Sequence, residues 1–83
     1  MSTLNDVKKV LAQSLQLGAR ADMLTEDSPL LGALPELDSM AVVMILTSLE
    51  EHFGFTVEDD EISADTFATL GTLTAFAEQK ISA

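Results

Sequence analysis

The chain has 83 residues and no cysteine, with 14 acidic against 4 basic residues and a formal charge of -10. That length suits one domain, the lack of cysteine excludes disulfides and thiolate metal sites, and 47% hydrophobic content is too high for compositional disorder. After Arg20 no basic residue occurs until Lys80, and 13 of the 14 acids follow Arg20, so the field repels nucleic acid and anionic membranes and attracts basic protein surfaces.

Leu4, Val7, Val10, Leu11 and Leu15 recur at helical spacing and predict a first amphipathic helix. Ser2 or Thr3 is placed to cap its start and Gly18 to end it. Asp6, Lys8, Lys9 and Gln13 interrupt any apolar signal-peptide core, and no run reaches the roughly 20 apolar residues of a membrane span. No repeat or linker divides the chain, so a single cytoplasmic domain over residues 1–83 is expected.

Residues 19–37 lack a sustained period and read as a long loop, punctuated by Asp27-Ser28-Pro29, Gly32 and Pro35. A loop this long is functional or pinned by its own apolar residues. Leu24, Leu30, Leu31, Leu34 and Leu37 are available for pinning.

A second helix is predicted from Ser39 to Phe53, with Asp38 or Ser39 as cap and Gly54 as stop. Val42, Ile45, Leu46, Leu49 and Phe53 form its expected core stripe. Met40, Ala41, Met44, Thr47, Ser48 and Glu51 form the expected outer face. No charge occurs from Ser39 to Leu49, which is unusual for a surface helix. Beyond it, Phe55, Val57 and Ile62 surround the acidic turn Glu58 to Glu61, and Ser63 or Asp65 starts a short helical turn through Phe67. Thr69 or Thr72 caps a last helix with Leu70, Leu73, Phe76, Ala77 and Ile81 inward, and Lys80 suits the negative end of its dipole. The expected fold is all-α: three main helices plus one short helix, with a long first loop.

Ser39 and His52 are the obvious nucleophile and base, but they lie 13 residues apart on one helix. At 1.5 Å per residue that is about 20 Å, which excludes a hydrogen-bonded pair. The run Glu58-Asp59-Asp60-Glu61 resembles a calcium loop only superficially. Counting from Asp59, Ala64 stands where an EF-hand needs glycine and Leu70 where it needs a bidentate Glu. No metal site and no catalytic residue is therefore expected. Asp38-Ser39-Met40 remains. A serine at a helix start is ordinarily just a cap. Here it follows a long loop, presents a hydroxyl at the positive end of a helix dipole and leads an uncharged helix.

The chain resembles an acyl carrier protein over nearly all its length. The resemblance rests on the first amphipathic helix, the long loop, Leu37-Asp38-Ser39-Met40, the helix end Leu49-Glu50-Glu51-His52-Phe53-Gly54, the acidic segment and Phe67-Ala68-Thr69-Leu70-Gly71-Thr72-Leu73. It implies a 4′-phosphopantetheine arm esterified to Ser39 by a separate transferase using coenzyme A, with Asp38 helping organise that enzyme's metal. The arm's thiol would carry an acyl group as a thioester, and the carrier itself would be a monomer that catalyses nothing. The family's acyl chains slip between the second helix and the short third one, which points to Ile45, Leu46, Leu49, Ile62, Phe67 and Leu70. Plain core packing is the alternative for each.

Two positions depart from the family pattern. Glu36 stands where glycine is common, two residues before the Asp. Many fatty-acid carriers place acids on the exposed start of the second helix, where this chain has Ala41 and Met44. Met40, Ala41, Met44, Glu50 and Glu51 are thus the expected partner contacts, serving dedicated enzymes that expect an apolar surface beside Ser39. The pathway implied is lipid modification, polyketide-like synthesis or a specialised accessory cluster. An aminoacyl or peptidyl carrier is the near alternative, and an unmodified acidic adaptor for a basic protein the alternative of another class.

Overall fold

The computed structural model describes residues 2–35 and 37–82, apart from the side chain of Asp59. Glu36 lies outside the described residues. Three long helices form around one apolar core: α1 (Thr3–Leu15), α2 (Ser39–Phe53) and α3 (Leu70–Ser82). Short 3-10 helices cover Gly18–Met23, Asp59–Glu61 and Ala64–Phe67. The expected all-α bundle with three main helices is what the chain forms.

Helix α1 starts where expected. The Asn5 N–H donates to Ser2 Oγ (3.1 Å), and Val7, Val10, Leu11 and Leu15 are buried. It ends earlier than expected, because Gln16 rather than Gly18 takes the left-handed cap position, at φ 54°. Both α2 and α3 pack against α1.

The long loop is more ordered than its composition predicts. Its first part is the 3-10 helix Gly18–Met23, whose contribution to the core is Ala21. Its middle docks on the start of α3. The Leu30 and Leu31 N–H groups donate to the Ala68 and Phe67 carbonyls (3.0 and 2.9 Å), and the Leu70 and Gly71 N–H groups donate to the Ser28 and Glu26 carbonyls (3.0 and 2.8 Å). The last two bonds satisfy first-turn donors that a helix cannot satisfy internally. Gly71 is required by this approach: a Cβ there would stand 2.8 Å from the Glu26 carbonyl oxygen. Leu30 and Leu37 pin the loop from inside, Leu24 and Leu34 are half-buried, and Leu31 is exposed.

Helix α3 is capped as predicted, with Thr69 Oγ1 accepting from the Thr72 N–H (3.1 Å) and Thr72 Oγ1 accepting from the Thr69 N–H (3.0 Å). Its buried face is Leu70, Leu73, Thr74 and Ala77. Ile81, expected inward, is exposed, and Phe76 is half-buried. Thr74 is tolerated inside because its hydroxyl donates to the Leu70 carbonyl (2.8 Å). Lys80 does more than meet the helix dipole: its ammonium donates to both carboxylate oxygens of Glu61 (2.9 and 2.8 Å).

The face of α2 turned to the core is Ala41, Ile45 and Leu49. It is turned by part of a turn from the stripe the sequence predicts, so Val42, Leu46 and Phe53 lie at its half-buried margin. Ser48, expected outside, faces α1, where Ser14 Oγ donates to Ser48 Oγ (3.3 Å).

Candidate functional site

The site is built at the junction of the docked loop and α2. Asp38 sits just before the helix in extended conformation, and its Oδ1 accepts from the Ala41 N–H (2.8 Å). Asp38 therefore does the capping that either residue could have done. Ser39, the first helical residue, is exposed, and among the described residues no group hydrogen-bonds its hydroxyl. The result is a free hydroxyl on a rigid helix end, beside backbone N–H groups that favour an attached phosphate. These features fit a phosphate-linked prosthetic arm.

Two surfaces lead away from Ser39. The first is a ridge at positions i, i+3 and i+4 of α2, which share one face. Met40, Val43 and Met44 are 72%, 60% and 50% exposed there. Ala41 does not join them. It is 6% exposed and packs in the core, because the burial face begins one residue earlier than the apolar run suggests. Val43, missed from the sequence, was findable from its spacing to Met40. Glu51 is exposed at the far end of the helix. Glu50 is half-buried and already engaged, its Oε2 accepting from the Val57 N–H (2.7 Å).

The second surface is a groove of about 150 Å³ lined by Val43, Leu46, Thr47, Glu50, Val57 and Ile62. Residues 39, 43, 46, 47 and 50 fall on one helical stripe, so Ser39 stands at the head of the α2 wall of this groove. Leu46 is about 10 Å along the axis from Ser39. Of the six lining residues expected from the resemblance, the structure brings Leu46 and Ile62 to the groove. Ile45, Leu49, Phe67 and Leu70 are closed into the core instead. Val43, Thr47, Glu50 and Val57 complete the groove.

His52 is far from Ser39. Its Nε2 is 3.8 Å from Asp6 Oδ1, and its ring meets Phe53 edge-on. No group of three or more metal-ligating side chains occurs among the described residues. No helix of the described residues is long and apolar enough to cross a membrane.

A small helical bundle that offers an accessible serine at a helix head, next to an apolar groove, is a carrier-type domain. The family described as Phosphopantetheine attachment site matches residues 5–77. An acyl carrier protein from Sulfurovum sp. (strain NBC37-1) is 36% identical over 78 residues, spanning 94% of this chain and 97% of the relative. Among solved structures, the solution structure of a holo acyl carrier protein from Nitrosomonas europaea is 55% identical, with a TM-score of 0.92 and 100% of both chains covered. The chain belongs to the phosphopantetheine-bearing acyl carrier protein family.

Proposed function

We propose that Ser39 Oγ is the point of attachment of 4′-phosphopantetheine, and that this carrier delivers acyl groups from one partner enzyme to the next. The observation that carries the reading is the division of labour at the start of α2: Asp38 caps the helix, which leaves the exposed Ser39 hydroxyl unbonded among the described residues. When bound, the group supplies a terminal thiol that holds cargo as a thioester. The chain's own residues hold and present it. The α2 amides favour the phosphate, Asp38 contributes its second carboxylate oxygen to the transferase's metal, and Leu46, Ile62, Val43 and Val57 offer apolar cover to the cargo.

The proposal covers a monomeric, non-catalytic, cytoplasmic carrier, one domain over residues 1–83. Acyl rather than aminoacyl or peptidyl cargo is supported by the relatives, both named as acyl carriers. The unmodified-adaptor reading has less support, because it gives the free Ser39 hydroxyl no role. Partners are a phosphopantetheinyl transferase and acyl-loading or acyl-transfer enzymes. The Met40, Val43, Met44 ridge is proposed as their contact, with Asp38 and Glu51 at its two ends. That surface suits an apolar recess bracketed by basic side chains about 20 Å apart, the length of α2 between the two acids. It favours dedicated enzymes of a specialised acyl, lipid or polyketide-like pathway over those that read acids at position 44.

The test is incubation with coenzyme A, magnesium and a broad-specificity phosphopantetheinyl transferase, followed by intact mass measurement. A gain of one phosphopantetheine that is lost in Ser39→Ala supports the carrier. No gain with several transferases favours the adaptor.

A further inference from the structure

The outer wall of the groove is an unusual piece of chain. Among the described residues, no backbone hydrogen bond joins residues 55–63 to α1, α2 or α3; the Glu61 N–H to Glu58 carbonyl bond (3.0 Å) stays within the segment. Phe55, stacked on Phe53 at 5.8 Å between ring centres, and Ile62 pack it against the core, Ser63 joins it to the next turn through Thr66, and two carboxylates tie it to the long helices. Glu50 of α2 accepts from the Val57 N–H (2.7 Å). Glu61 is bound at both oxygens by Lys80 of α3 (2.9 and 2.8 Å), while its Oε1 also accepts from the Glu58 N–H (2.9 Å). The two apolar wall residues sit at these anchor points, Val57 on one and Ile62 directly after the other. Lys80 is the sole cation after Arg20 in the sequence, and it is spent here.

We propose that the Glu61–Lys80 ion pair is a latch that ties the 55–63 strap to α3 and so keeps Ile62 facing the α2 wall of the groove, making Glu61 and Lys80 positioning residues for the apolar cargo. The inference rests on the reading above that cargo attached through Ser39 seats in this groove. The latched groove, about 150 Å³ and open to solvent along one side, has room for a chain segment of about six carbons. Breaking a bidentate pair at the surface shifts the latched population by about two- to fivefold.

The test uses holo protein carrying a hexanoyl group, compared with free hexanoyl-pantetheine. Amide hydrogen exchange is read at Val57 and Glu58, whose N–H groups the two carboxylates bind, and thioester release by hydroxylamine is read in parallel. Lys80→Gln and Glu61→Gln are expected to speed both by about two- to fivefold, and Lys80→Arg, which keeps a bidentate donor, is expected to restore both. Faster exchange with unchanged release overturns the latch's hold on cargo. Unchanged exchange overturns the latch itself. Wild-type release as fast as from free hexanoyl-pantetheine overturns seating in the groove, while an arm located on Ser39 by mass would still stand. Failure to gain the arm at all overturns the carrier reading instead.

Discussion

Asp38 carries two roles that substitution can separate. Its Oδ1 caps α2 through the Ala41 N–H at 2.8 Å, and its charge is proposed to serve the transferase's metal. Asp38→Asn keeps an oxygen acceptor in the same place, and Asn caps helices as well as Asp does. It loses the charge–dipole attraction, about 0.3–1 kcal/mol, but also relieves self-repulsion in a chain of net charge -10. The net change should stay within about 0.5 kcal/mol. Asp38→Ala removes the acceptor and orphans the Ala41 N–H, costing about 1 kcal/mol. For a domain of this size that lowers the melting temperature by about 4–8 °C. Transfer of the arm from coenzyme A should fall at least about tenfold in both variants, as for loss of a group that orients a metal. Thermal melts read the first effect and initial rates of mass gain the second. An Asn variant modified at the wild-type rate refutes the role of the carboxylate. An Ala variant with the wild-type melting temperature refutes the cap.

Three further outcomes follow from the same geometry. Gly71→Ala places a methyl 2.8 Å from a backbone carbonyl that cannot swing aside, so thermal melts should show a loss of about 1–3 kcal/mol; an unchanged melting temperature would contradict the tight loop docking. The Lys80 hydrogen bond, then the Glu58 N–H bond, hold the Glu61 carboxyl below its ordinary value of 4.5. The unfolded chain therefore binds the proton more readily, and the stabilisation is present above about pH 4.5 and lost as pH falls through the lowered folded value. Urea midpoints of wild type and Glu61→Gln should differ at pH 7 and converge at low pH, whereas a constant gap would contradict the pairing. Met44→Glu puts a charge into the ridge and should raise the KM of the protein's own acyl-loading enzyme about tenfold, with stability unchanged; unchanged loading kinetics would remove the ridge from the contact.

Much of this was legible in the sequence, and the misses have physical causes. The α1 face and the positions of the three helix starts could be read because each is a local pattern, but of the paired cap candidates only the structure singles out Ser2, Asp38 and Thr69. The Gly18–Met23 turn could not, because a 3-10 helix has no 3.6-residue period and Ala21 alone is buried on it. In α2 the run from Val42 to Leu46 is apolar all round, so periodicity could not decide which side turns inward. The sequence pattern thus puts Ala41 outside and Val42 in the core, one residue out of phase with the structure. Of the residues offered as cargo lining, Ile45 and Leu49 are on the core face, where plain packing accounts for them, while Leu46 stands at its edge. Glu50 read as a free surface acid because its partner, the Val57 N–H, is a backbone group that no side-chain pattern reveals.

The central claim is that Ser39 bears the arm. The most direct measurement is fragmentation mass spectrometry of the protein isolated from its own cells, which locates the modified residue. Phosphopantetheine on fragments containing Ser39, and on no others, is the predicted result. An arm on another hydroxyl, or protein that is unmodified in cells and stays so with coenzyme A and transferase, would contradict it.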